Sequence, residues 1–192
     1  MKRVREKRIN SFTLTEMCIV LAMLGILALF ISLRLFNSIE EANVTKAVQD
    51  IYNIASAGRR HYSDTGAWPA WPHTPAASDY GRSFVTNDDN LAHWEGPYLE
   101  SWPDHPWSRV SINEKTYQWD DQDVDGDGTN ELVVEIGLND LTQVRRNSIA
   151  RMIDRAIDRG DGACAGKFRN FPAQCPDWEG WPKYVVYDPD EV

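Results

Sequence analysis

The chain has 192 residues and a formal net charge of −9, with 26% charged residues. That length holds one domain and an appendage at most. The acidic balance argues against nucleic acid as a partner and suits cation binding.

Charge and apolarity are both split along the chain. Residues 1–11, "MKRVREKRINS", carry five basic residues against one acid. The run "SFTLTEMCIVLAMLGILALFISL" follows. From Phe12 it offers about 22 residues, or about 33 Å of helix, enough to cross a hydrocarbon core of about 30 Å. The basic flank comes first, so the N-terminus is expected in the cytoplasm and the remainder exported. The segment "SLRLFNS" offers no small-x-small site for ordinary signal cleavage. An uncleaved signal anchor is therefore one reading.

One acid, Glu16, interrupts the apolar run. A charge inside a membrane span costs about 2.5–3.5 kcal/mol on insertion scales and marks a functional candidate. The plain alternative is an acid tolerated near the interface.

The apolar stripe continues past Arg34 through Phe36, Ile39, Val44, Ala47, Val48, Ile51 and Ala55 at helical spacing. The helix is expected to stop at "SDTGAWP", where Gly66 and Pro69 break it. Gly58 is a weak interruption. Residues 66–94 show no period and read as a long surface loop, with a short helical turn near "DDNLAHW". "GPYLESWPDHPWSRV" reads as a short strand entering an aromatic-covered turn. "KTYQW" and "ELVVEIGL" read as strands of a β-hairpin. "NDLTQVRRNSIARMIDRAIDRG" reads as a helix capped by Asn139 or Asp140. Its stripe is Ile149, Met152, Ile153 and Ala156, and Gly160 and Gly162 end it. "YVVY" is the last strand.

The hairpin tip, "DVDGDGTNE", has the pattern of a calcium loop. Asp123, Asp125 and Asp127 place carboxylates at alternate positions, and Gly128 permits a sharp bend. The Thr129 carbonyl and Glu131 can complete the shell. Such hard oxygen ligands suit Ca²⁺ over Mg²⁺, which prefers to keep its waters. The loop resembles those of integrin-type β-propellers and EF-hand-like hairpins. A true EF-hand frame from Asp121 fails, because its twelfth position is Leu132. The competing reading is a solvated acidic tip. That reading leaves five crowded acids (Asp120, Asp121, Asp123, Asp125, Asp127) to repel one another without a cation.

Of the three cysteines, Cys164 and Cys175 are expected to form a disulfide, which implies an oxidising compartment. Cys18 stays a lone thiol in the apolar run. The four histidines, at 61, 73, 93 and 105, lack metal-ligand spacing. No nucleophile motif or phosphate-binding loop is present. The eight tryptophans read first as packing residues and second as sugar-binding ones.

The basic leader, the "SFTLTE" junction, the apolar run and the amphipathic extension together resemble type IV pilins and the pseudopilins of type II secretion. The family pattern is a small residue, a cleavage point, then Phe-Thr-Leu-x-Glu. Phe12, Thr13, Leu14 and Glu16 match it, and Ser11 stands where Gly is usual. "GPYLESWPDHPW" also looks like the major-pseudopilin signature, through Gly96, Pro97, Tyr98, Leu99, Pro103, Pro106 and Trp107. Ser-Arg follows where that signature has Gly-Asn.

The resemblance implies an α+β αβ-roll: a long N-terminal helix packed on a small antiparallel sheet, with a C-terminal helix and disulfide loop. It implies a leader over 1–11, a membrane half over 12–35 and an exported head over 36–192. It further implies a prepilin peptidase that cuts after Ser11 and methylates Phe12. In this reading Glu16 pairs with the Phe12 amine of a neighbouring subunit, which offsets two costly charges and sets axial register. Partners would be copies of itself, minor pilins and an inner-membrane assembly platform. The expected function is a non-enzymatic filament subunit, anchored by one inner-membrane span before assembly. The signature and calcium-like loop lean towards a pseudopilus, and the C-terminal cysteine loop towards a pilus. The rivals are a tethered enzyme and a signal-anchored, calcium-dependent adhesion protein that never polymerises.

Overall fold

The structure is a computed structural model. It describes residues 13–70, 81–88, 90–107, 117–138, 141–170 and 181–190, with the side chains of 32–37 excepted. Two compact units divide the chain, 1–41 and 42–192. Helix α1, Leu14–Thr65, contributes to both.

In the first unit, the α1 segment Leu14–Ile31 has a mean hydropathy of 2.5 and none of it is buried. It is long and apolar enough to cross a membrane. Leu21, Leu24, Phe30 and Ile31 all point outward.

In the second unit, Val44, Ala47, Ile51, Ile54 and Ala55 of α1 are buried at three- and four-residue intervals. Ile39 lies outside that stripe and is exposed. Gly58 belongs to it: a Cβ there would lie 2.5 Å from the Trp119 ring. The sequence's weak interruption is thus a close approach of helix to indole. The helix ends where expected, with Gly66 N–H bonded back to the Tyr62 carbonyl at 2.8 Å.

A four-stranded antiparallel sheet receives this stripe, in the order β1-β2-β4-β3. Its strands are β1 Tyr117–Gln122, β2 Glu131–Ile136, β3 Phe168–Arg169 and β4 Lys183–Tyr187. The register pairs Tyr117 with Ile136 and Trp119 with Val134. Alternation puts these four on the core face with Tyr184 and Val186. The opposite face carries Val133, Val185 and Val124. It also carries a buried ion pair, Lys183 Nζ to Glu135 Oε1 at 3.0 Å.

Several expectations are corrected. The helical turn of the long loop is α2, Arg82–Val85, and not "DDNLAHW". Phe84 anchors it, fully buried. The segment 96–107 forms no strand; it runs as turns and bends. Its backbone is held from outside, because the N–H groups of Tyr98 and Leu99 both donate to the Phe84 carbonyl. Helix α3 spans Gln143–Asp158 with Thr142 at its N-cap, in place of Asn139 or Asp140 just before it. Asn139 and Asp140 lie outside the described residues. Its buried stripe is Ile149, Ala150, Ile153 and Asp154. Ala156 is exposed, and Met152 is half-buried beside the core. Strand β3 was not anticipated; two residues are too short to show a period.

The buried histidines are structural. His105 Nε2–H donates to the Gly137 carbonyl at 2.9 Å while its Nδ1 accepts from Trp107 N–H. His61 Nδ1 lies 2.8 Å from the Ala67 carbonyl. Tryptophans 68, 94, 102, 107 and 119 all belong to the core or pack against it.

Candidate functional site

The N-terminal element of the candidate assembly machinery begins at Thr13. Thr13 N–H and Oγ1–H both donate to Glu16 Oε2 at 2.8 Å, and Glu16 N–H donates to Thr13 Oγ1. This is a capping box, T-x-x-E, in which two helix-end groups satisfy one another. The T-x-x-E spacing is present in "TLTE", where the sequence otherwise shows an acid in an apolar run and a prepilin-like junction. Within a single chain Glu16 therefore has a local partner and is held at the start of α1. Ser11 and Phe12 lie outside the described residues.

The acidic site sits on the β1–β2 turn. The hairpin register closes at Gln122 opposite Glu131, so the residues between them must form a compact loop. Carboxylate oxygens of Asp123, Asp125, Asp127 and Glu131 lie within 4.8 Å of one another. The loop's own amides hold them there. Asp123 accepts from Gly126 N–H at 2.7 Å and Gly128 N–H at 3.0 Å. Asp125 accepts from Asp127 N–H, and Asp127 from Thr129 N–H. Gly128 has φ +95°, the left-handed bend expected of it. Thr129 thus joins the turn through its N–H.

Glu131 is the inner wall. It is fully buried. Its Oε2 accepts from Val124 N–H at 2.6 Å, and its Oε1 has no hydrogen-bond partner. Burial pushes the Glu131 carboxyl above the ordinary glutamate range, against the Val124 bond that lowers it. A buried, half-satisfied carboxylate costs free energy unless something binds it. The donor set consists of hard oxygens and can enclose a divalent cation of the calcium type.

Two further acids reach this site from the chain's end. Asp190 contacts Asp127 side chain to side chain, and that contact raises the Asp190 carboxyl while Thr129 N–H holds Asp127 low. Asp188 acts on both Glu131 and Asp190. It also accepts from Asp190 N–H and faces Arg169 at 3.6 Å. The sequence pointer was "YDPDE" directly after the last strand; only the β2–β4 pairing shows that it returns to the hairpin.

Of the cysteines, Cys164 is disulfide-bonded and Cys18 is free and exposed. Cys175 lies outside the described residues. In the signature segment, Tyr98 and Trp107 are buried. Arg60 of α1 donates to the Tyr98 carbonyl at 2.8 Å, tying the segment to the helix.

Comparison with known proteins adds the following. A family model described as PilW, C-terminal, matches residues 38–129. Type II secretion system core protein G of Vibrio cholerae serotype O1 (strain ATCC 39315 / El Tor Inaba N16961) is 32% identical over 111 residues, which cover 56% of this chain and 70% of that protein. The Aeromonas hydrophila protein of the same name is 29% identical, over 54% of this chain and 71% of its own. The solved structure of the major type IV pilin PilA1 from Clostridium difficile aligns at a TM-score of 0.39 and 21% identity, covering 79% of this chain and 98% of that one.

Proposed function

The chain belongs to the pilin and pseudopilin family and is a structural subunit of a pilus or pseudopilus; from that membership we propose that it is a major-type pseudopilin of a type II secretion system whose head is braced by Ca²⁺. The observation that carries the reading is the 32% identity to a type II secretion core protein G, spanning 70% of that protein.

In this reading a prepilin peptidase removes residues 1–11 and methylates Phe12. The apolar start of α1 holds the subunit in the inner membrane with the head in the periplasm, and an assembly platform then adds it to a filament of its own kind. Glu16 passes from its capping box with Thr13 to the α-amine of a neighbour's Phe12. That exchange swaps neutral donors for a cationic one, and pairing the two charges removes much of the cost each would carry alone in an apolar surround. The subunit carries out no catalysis.

The calcium reading is supported by the convergence of Asp123, Asp125, Asp127 and Glu131, with Thr129 in the same turn, and above all by the unsatisfied Oε1 of Glu131. When bound, the cation supplies positive charge that relieves the crowded acids and holds the hairpin shut. Asp190 reaches the loop through its side-chain contact with Asp127. Sites of this extracellular kind bind at about 10⁻⁴–10⁻³ M, so the head gains its brace after export.

Intact-mass measurement on the native protein tests the processing step and separates this reading from a signal-anchored adhesion protein. The expected mature chain starts at Phe12 and carries one added methyl group. A chain from cells with an active prepilin peptidase that still begins at Met1 contradicts it.

A further inference from the structure

We propose that Asp154, Asp158 and Asp161 form a second divalent-cation site at the C-terminal end of α3, with hard oxygen ligands suited to Ca²⁺. The inference stands independently of the hairpin site.

Asp154 and Asp158 are one helical turn apart and so share a face of α3. The helix ends at Arg159, φ +65°, and left-handed Gly160 and Gly162 turn the chain back. That reversal brings Asp161 alongside. One carboxylate oxygen from each of the three acids lies within 4.8 Å of the others.

The independent observation is Asp154 itself. It is only 3% exposed. One oxygen accepts from Gly162 N–H at 3.2 Å, while Oδ1 is buried with no hydrogen-bond partner. A buried carboxylate with one oxygen that no donor reaches, set beside two more carboxylates and in side-chain contact with one of them, Asp161, calls for a cation. None of the ion pairs among the described residues involves any of the three acids. The position adds to the demand, because the C-terminal end of a helix already carries partial negative charge.

The surroundings hold the acids in place. Phe168 N–H, at the start of β3, donates to Asp158 at 2.5 Å. Gly166, φ +71°, closes the return of the loop; a Cβ there would meet Asp161 Oδ2 at 2.5 Å and the Asp158 carboxyl at 2.7 Å. Asp161 is exposed, leaving a side open for the waters that would complete a calcium shell.

Calorimetric titration of the chelator-stripped full chain in detergent with CaCl₂ decides the matter. Two equivalents are expected. Asp161→Asn, an exposed change that leaves the core intact, should remove one or weaken it at least about tenfold, since ligand charge sets affinity at such sites. Asp154→Asn should do the same. Asp125→Asn, in the hairpin, should remove the other equivalent. A single equivalent lost in Asp161→Asn and kept in Asp125→Asn leaves this proposal standing and removes the hairpin site. A single equivalent lost only in Asp125→Asn, no binding at all, or unchanged affinities in Asp161→Asn overturns it.

Discussion

Val124 and Glu131 grip one another across the hairpin turn: the Val124 N–H donates to Glu131 Oε2 at 2.6 Å, and both residues are buried. The second oxygen of Glu131, which has no partner, faces the consequence. Thermal melts of the full chain in detergent should rise with millimolar Ca²⁺ and less with Mg²⁺. At about 10 times the dissociation constant, one site contributes about 1.4 kcal/mol. Asp125→Ala and Glu131→Gln should each remove the hairpin's share of that rise. Equal rises in wild type and both variants would remove calcium from the hairpin.

Gly58→Ala should destabilise the head by about 1–3 kcal/mol, the usual cost of overpacking. The added methyl would lie 2.5 Å from Trp119 Cη2, and the indole is fixed by its Nε1–H bond to the Pro69 carbonyl at 3.1 Å. Trp119→Phe in the same chain should recover part of the loss. A Gly58→Ala melt equal to wild type would show that the helix and sheet can separate at no cost.

Much of this was legible before any coordinates. The stripe from Val44 to Ala55, its stop at Gly66, the hairpin strands and the alternate acids each depend on local spacing, which sequence records directly. What was missed depends on return paths. Asp188 and Asp190 reach the hairpin only because β4 pairs with β2. Asp154 occupies an inward position of α3, where a polar residue reads as a gap in the stripe; its partner Asp161 arrives by a left-handed reversal at Arg159, a residue type that gives no warning of one. Phe84 anchors a helical turn by its burial, in a stretch without a period. The Thr13–Glu16 capping box is local, and its T-x-x-E spacing stands in the sequence, but the apolar run around it is the stronger signal there and points to a membrane span.

Lys183→Met should cost about 3–5 kcal/mol, because it strands a buried carboxylate. Glu135 accepts from Lys183 at 3.0 Å and from Gln122 at 2.9 Å. Burial raises the Glu135 carboxyl above its ordinary range, and Lys183 is the main influence holding it down. Without Lys183 the folded state binds that proton more tightly than the unfolded state. Stability of the variant should then fall as pH rises from about 4.3 through the raised folded value. Denaturation at pH 5 and pH 8 checks this: the deficit against wild type should be smaller at pH 5. A deficit independent of pH would contradict it.

Peptide mapping without reductant should recover Cys164 joined to Cys175 and Cys18 freely alkylated. Cys164→Ser should lower stability by about 3 kcal/mol in the chain-entropy account of a short loop. An alkylatable Cys175 in protein purified without reductant would refute the pairing.

The central claim is that the chain polymerises and that Glu16 sets the register. Its most direct test is recovery of sheared filaments from cells carrying a type II secretion assembly machinery, comparing wild type, Glu16→Ala and Thr13→Ala. All three should insert in the membrane. Thr13→Ala breaks the same capping box, at a cost of about 1 kcal/mol, yet keeps the carboxylate. The account predicts filaments from wild type and Thr13→Ala, and membrane-bound subunits alone from Glu16→Ala. Glu16→Ala filaments in wild-type amounts would contradict it.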